Sequence, residues 1–110
     1  IYTDRLRSGT MDRANRAGVL SAMGRYEDAL AEDEVVREDC RVIYRDHHPR
    51  VLCAEYNIAL DRHLMGDDDA PQNLLGATLA AEREFGPEHP TVRAMRDRKR
   101  IDFDLEMPPT

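Results

Sequence analysis

The sequence contains no tryptophan, and aromatic residues make up only 5% of its 110 positions. That supply is too thin for a typical β-sandwich core. Its two cysteines, Cys40 and Cys53, sit in no CxxC or zinc-ligand spacing, which argues against a metal-held module. Two buried thiols are expected, because a disulfide needs an oxidising compartment and nothing else argues for one. No apolar run approaches the roughly 18 residues that span a bilayer. The opening Ile1-Tyr2-Thr3-Asp4-Arg5 is charged at once and does not read as a signal peptide, so a cytoplasmic location is expected. An initiator Met is also missing, and the expectation is a piece of a longer or trimmed chain. No GxxxxGK[ST] loop is present to cradle a phosphate.

Charge, in contrast, is abundant. Charged residues make up 35% of the chain, with 16 Lys+Arg against 22 Asp+Glu and a net charge of −6. Such a chain has no general electrostatic pull toward nucleic acid or an anionic membrane. Ala, Leu, Glu, Arg and Met are frequent, and these residues favour helices.

The sequence matches itself when shifted by about 42 residues. Ile1-Tyr2-Thr3-Asp4 meets Ile43-Tyr44-Arg45-Asp46. Asn15 meets Asn57, Ala17 meets Ala59, and Met23-Gly24 meets Met65-Gly66. After Gly66 the offset shortens by one residue: His48-Pro49-Arg50-Val51 then meets His89-Pro90-Thr91-Val92, and Tyr44 meets Phe85.

Each period reads as two helices. Met11, Ala14, Ala17, Leu20 and Met23 recur at helical steps until Gly24-Arg25 breaks the run. Tyr26, Ala29, Leu30, Val36, Cys40, Ile43 and Tyr44 form a second stripe, ended by Asp46-His47-His48-Pro49. A third helix is expected from Val51 to Met65. A fourth carries Leu74, Leu75, Leu79 and Phe85 behind N-cap candidates Asp67, Asp68 and Asp69, with Pro71 in its first turn. A last helix is expected over Val92 to Ile101. The expected division is one domain: 1–8 the remnant of a preceding repeat, 9–48 repeat one, 49–89 repeat two, and 90–110 a capping helix and tail.

This arrangement resembles the tetratricopeptide family, in the long-repeat form found in kinesin light chains and many bacterial proteins. The residues that carry the resemblance are Asn15-x-Ala17-x-x-Leu20-x-x-Met23-Gly24-Arg25-Tyr26-x-x-Ala29 and the linker Asp46-His47-His48-Pro49, with their second copies at Asn57-x-Ala59, Met65-Gly66-Asp67-Asp68 and Gly86-Pro87-Glu88-His89-Pro90. It implies an all-α fold: an antiparallel helix-pair solenoid, winding as a right-handed superhelix, of about two repeats plus a C-terminal capping helix. It also implies a non-enzymatic protein-interaction scaffold that needs no cofactor and takes a peptide or domain on its concave face. The ending Arg100 to Pro109 is similar to the way repeat arrays finish in bacterial NB-ARC-type signalling ATPases, which implies a sensor arm. The alternative is a structural segment that self-associates as a homodimer or caps upstream repeats. The second copy departs from the pattern where Asp68 stands in place of Tyr26, where Gly76 interrupts the fourth helix, and where Arg98 replaces the Asn of positions 15 and 57.

In the family, an Asn at this place faces the groove, and its amide can both donate to and accept from a peptide backbone. Asn15 and Asn57 are therefore candidate groove residues, with a structural bond to a neighbouring helix as the competing role. Tyr56, His63 and Ser21 are candidates for the same groove, and Arg98 for holding a partner carboxylate. Three of the four histidines (His47, His48, His89) belong to linkers, and His63 is alone on its helix, so no metal site is expected. The basic stretch Arg93 to Arg100 contains Asp97 and no aromatic, so a solvated helix end is expected rather than a nucleic-acid surface. The acidic residues Glu32, Asp33, Glu34, Glu38 and Asp39 are accompanied by no nucleophile or oxyanion donor, and Glu34 and Glu38, one turn apart with Arg37 and Arg41 nearby, read as an exposed ion-pair face.

Overall fold

The computed structural model describes residues 2–101, with side chains described from residue 9 onward. The expected tail at 102–110 lies outside the described residues. The described chain is all-α: α1 Tyr2–Ala22, α2 Tyr26–Tyr44, α3 Pro49–Leu64, α4 Ala70–Phe85 and α5 Pro90–Arg96. α1 crosses the boundary expected after residue 8 without a break.

Each helix packs chiefly on its neighbours in sequence. The pairs run antiparallel, as the ion pairs across them require. Arg13 meets Glu32 across α1 and α2 at 3.3 Å. Arg41 meets Glu55 at 3.1 Å, and Arg62 meets Glu34 at 3.7 Å, across α2 and α3. α3 lies between α2 and α4 and buries residues around its whole circumference, among them Leu52, Tyr56, Asn57 and Leu60. Val36, Cys40, Leu74, Val92, Met95 and Ile101 complete the core around it.

The helix ends repeat, which ties the sequence period to local physics. Gly24 and Gly66 follow α1 and α3 with φ of 79° and 86°. In each case the glycine and the next residue donate back into the last turn, Gly24 to Ser21 and Arg25 to Leu20, then Gly66 to His63 and Asp67 to Arg62. The starts of α3 and α5 also match. His48 Nδ1 accepts from Arg50 N, and His89 Nδ1 from Thr91 N, both at 3.1 Å. Each capping ring lies against the aromatic that ends the previous helix, His48 on Tyr44 at 4.2 Å and His89 on Phe85 at 4.8 Å between centroids. Pro49 and Pro90 fill the first turns, where no amide is needed.

Two expected stripes are corrected. On α4 the buried residues are Ala70, Leu74, Thr78 and Ala81, while Leu75 and Leu79 are exposed. Thr78 is tolerated inside because its hydroxyl donates to the Leu74 carbonyl at 2.8 Å. Met23 is exposed rather than on the core side of α1. Asp69 holds the N-cap position of α4 without a side-chain bond, and Asp67 Oδ1 accepts the Asp69 amide instead. The largest correction concerns the last helix, which ends at Arg96 instead of continuing to Ile101. Arg98, at φ 59°, turns the chain, its amide donating to Met95 O and that of Lys99 to Ala94 O. Lys99, Arg100 and Ile101 then run back over the helices as a strap.

Candidate functional site

The strap meets the residues singled out on α3. Asn57 is buried. Its Nδ2 donates to the Ile101 carbonyl at 2.9 Å, and its Oδ1 accepts the Ile101 amide at 3.0 Å. One side-chain amide thereby satisfies both main-chain groups of one residue, which a buried extended segment would otherwise leave unpaired. Tyr56, also buried, donates its hydroxyl to the Lys99 carbonyl at 2.8 Å and lies 3.4 Å from the Met95 carbonyl. Burial pushes this hydroxyl up to about 12, against a smaller lowering by Arg98, so it stays a donor at neutral pH.

Arg100 anchors the middle of the strap. Its Nη2 donates to both oxygens of Asp33 at 2.7 and 2.9 Å, and its Nη1 donates to Asp61 Oδ1 at 3.2 Å. Asp33 comes from α2 and Asp61 from α3, and both are buried. The expectation of a solvated basic helix end therefore fails at Arg100. A charged group leaves water here because an opposite charge and directed hydrogen bonds replace its hydration. Asp61 is pushed up to about 9, first by burial, then by its hydrogen bond to Asp33 and the Asp33 charge, with Arg100 pulling the other way. The two buried carboxyl groups therefore share the Arg100 guanidinium, and Asp61 is the one whose proton is held more tightly than usual. Asp61 Oδ2 is buried and accepts no hydrogen bond.

The other candidates are dispersed. Asn15 is exposed. It lines an open cleft of about 420 Å³ on α1 with Ala14, Gly18, Val19 and Ala22, and Arg100 forms the cleft's far wall. Neighbouring strap residues thus serve the two Asn positions differently: Arg100 lines the cleft that Asn15 also lines, and Ile101 bonds to Asn57. Ser21 is half-buried on the same helix, and His63 is exposed near the end of α3. Arg98 is exposed, and its Nη1 donates to the Met95 carbonyl at 3.2 Å. A second cleft of about 460 Å³ lies between α2, α3 and α4. Its arginines Arg41 and Arg62 are engaged by Glu55 and Glu34.

Sequence reasoning missed Asp33, Asp61 and Arg100 as one unit. The available signal was charge at core register: Asp33 falls between Ala29 and Val36 on the buried stripe of α2, and Asp61 follows Leu60 within the most apolar helix surface. Cys40 and Cys53 are buried free thiols, both pushed up to about 12 by burial. Among the described residues, no three His, Cys, Asp or Glu side chains converge as metal ligands. No described helix is long and apolar enough to cross a membrane. In comparisons with known proteins, the chain matches no family model, no curated protein and no solved structure.

Proposed function

We propose that this chain is a non-enzymatic protein-interaction scaffold, a tetratricopeptide-like solenoid of two helix pairs with a short closing helix. The face formed by α1, α3 and α5 receives an extended peptide or a neighbouring domain. In this reading the chain forms the closing end of a longer array, such as the sensor arm of a bacterial signalling ATPase. The observation that supports it most directly is the Asn57 amide, which engages both main-chain groups of an extended segment. Asn15 occupies the equivalent place one period earlier and is exposed beside an open cleft. A preformed surface of this kind binds with little ordering cost on its own side.

The test is selection of a random peptide library on the full chain, with bound peptides mapped by amide chemical shifts. The reading expects perturbations at Ala14, Asn15, Gly18 and Val19. It fails if no peptide is enriched, or if every enriched peptide maps elsewhere.

A second reading has its own support. The strap already fills the α3 face, which suits a segment whose task is to cap and self-associate. A tight dimer in sedimentation that hides α1 favours this reading. A monomer with an accessible α1 favours the scaffold.

A further inference from the structure

The strap is itself a non-helical main-chain segment seated on the proposed binding face. Its main chain is held by Asn57 and Tyr56, contacts that carry no sequence information. Its side chains are read by two features. Asp33 and Asp61, buried on two different helices, take the Arg100 guanidinium, and the core takes the Ile101 side chain. The cation paired with both carboxyl groups comes from the strap and not from a helix. Removing it would leave two buried carboxyl groups without their cationic hydrogen-bond donor, which is unfavourable. A competing segment can therefore replace the strap only if it brings its own cation. A planar fork suits the site, because one guanidinium spans two carboxyl groups where an ammonium would favour one. With the strap in place, Asp61 Oδ2 has no hydrogen-bond partner. Its covalent tether is a turn through Arg98 in the left-handed region, a conformation that a non-glycine residue adopts only under strain.

We infer that the face formed by Asp33, Tyr56, Asn57 and Asp61 recognises an extended peptide carrying an arginine followed by an aliphatic residue, and that Lys99–Ile101 fills it in cis as a displaceable stand-in. This rests on the scaffold reading and specifies its ligand. Tethering places the strap at an effective concentration on the order of millimolar, so a ligand in trans is outcompeted until the strap is weakened or the ligand is itself multivalent.

The probe is a fluorescein-labelled peptide copying residues 97–102, with two variants carrying Ala in place of its isoleucine-preceding arginine or Ser in place of the isoleucine. Each is titrated by anisotropy into the full chain and into its Arg100→Ala variant. The parent peptide is expected to bind the variant chain at least about tenfold more tightly than the parent chain, a difference of about 1.4 kcal/mol. Both altered peptides are expected to lose at least about tenfold on the variant chain. Equal binding of the parent and arginine-less peptides overturns the inference. If Arg100→Ala does not fold, the parent chain serves: excess unlabelled peptide should shift the Ile101 amide resonance to its random-coil position. An Ile101 resonance that stays in place at millimolar peptide also overturns it. Library peptides that map to α1, lack the arginine–aliphatic pair and leave Ile101 in place sink this inference alone, whereas absence of any bound peptide sinks the scaffold reading with it.

Discussion

At the scale of single residues, the two periods act as controls for each other. Arg45 and Gly86 both follow the second helix of a pair. Both donate the same bond, Arg45 N to Arg41 O at 3.0 Å and Gly86 N to Glu82 O at 2.9 Å. Their backbones are also alike, φ 78° ψ 167° against φ 94° ψ 150°. That region is almost restricted to glycine, and a side chain there costs about 1–3 kcal/mol. Arg45→Gly should therefore stabilise the chain by about 1 kcal/mol after the added unfolded-state entropy of glycine is subtracted. Gly86→Ala should destabilise it by about as much, through strain alone, because a Cβ there meets nothing within 4 Å. Urea unfolding of both variants checks the pair, and opposite signs are required.

The Asp61 carboxyl makes a second residue-scale prediction, in pH. Its folded pKa, raised to about 9 from an ordinary 3.8, means that the folded chain holds a proton that the unfolded chain releases. Its contribution is complete below about pH 4 and is lost as pH rises through about 9. Asp61→Asn keeps the neutral shape, accepts from Arg100 and donates toward Asp33 at every pH. The difference in melting temperature between Asp61→Asn and the parent should widen in favour of Asn from about pH 4 to about pH 9, then level off. Asp33→Asn should instead destabilise by about 1–3 kcal/mol at neutral pH, because it breaks the two-oxygen acceptor that holds Arg100 Nη2. A constant difference across that range would disprove the assignment of the proton to Asp61.

At the scale of elements, the helices and their breaks were legible where local chemistry decides them. Gly24, Gly66, Pro49 and Pro90 mark ends and starts by backbone rules that operate within one turn, and α2 spans its expected bounds. The early end of α5 was not legible, because Arg93 to Ile101 carries no glycine or proline. The helix stops where burying Ile101 and pairing Arg100 with Asp33 and Asp61 outweigh further helical hydrogen bonds. Those are contacts across 67 and 39 positions, which no window of the sequence contains. The same tertiary contact separates the two asparagines. Period alone makes Asn15 and Asn57 equivalent, yet one is exposed and the other buried with its amide fully bonded. Asn57→Ala should therefore destabilise the chain by about 2–3 kcal/mol, since both main-chain groups of Ile101 lose their partner inside the protein. Asn15→Ala should change stability by less than about 0.5 kcal/mol. Thermal unfolding followed by circular dichroism distinguishes them, and equal losses would remove Asn57 as the anchor of the strap.

At the scale of the whole molecule, stability follows neighbour contacts. α1 packs chiefly on α2, whereas α3 is enclosed by α2, α4 and the strap. In a chain built this way, an end helix opens at lower free energy than a central one unless something couples them. Arg100 is the coupling element: it binds α2 through Asp33 and α3 through Asp61, and its Nε lies 3.7 Å from where a Cβ on Gly18 of α1 would sit. Native-state hydrogen exchange should show the amides of Ala14 to Leu20 opening at lower free energy than those of Cys53 to Leu60. Loss of the Arg100 guanidinium weakens the coupling of α2 to α3, which their direct packing and the Arg41–Glu55 and Arg62–Glu34 pairs still maintain. It should lower protection in α1 and α2 together, while the α3–α4 pair keeps a larger share of its own. Were all four helices instead to lose protection equally, the strap would belong to one indivisible folding unit, and a segment that cannot leave without unfolding the molecule could not serve as a displaceable occupant of its own groove.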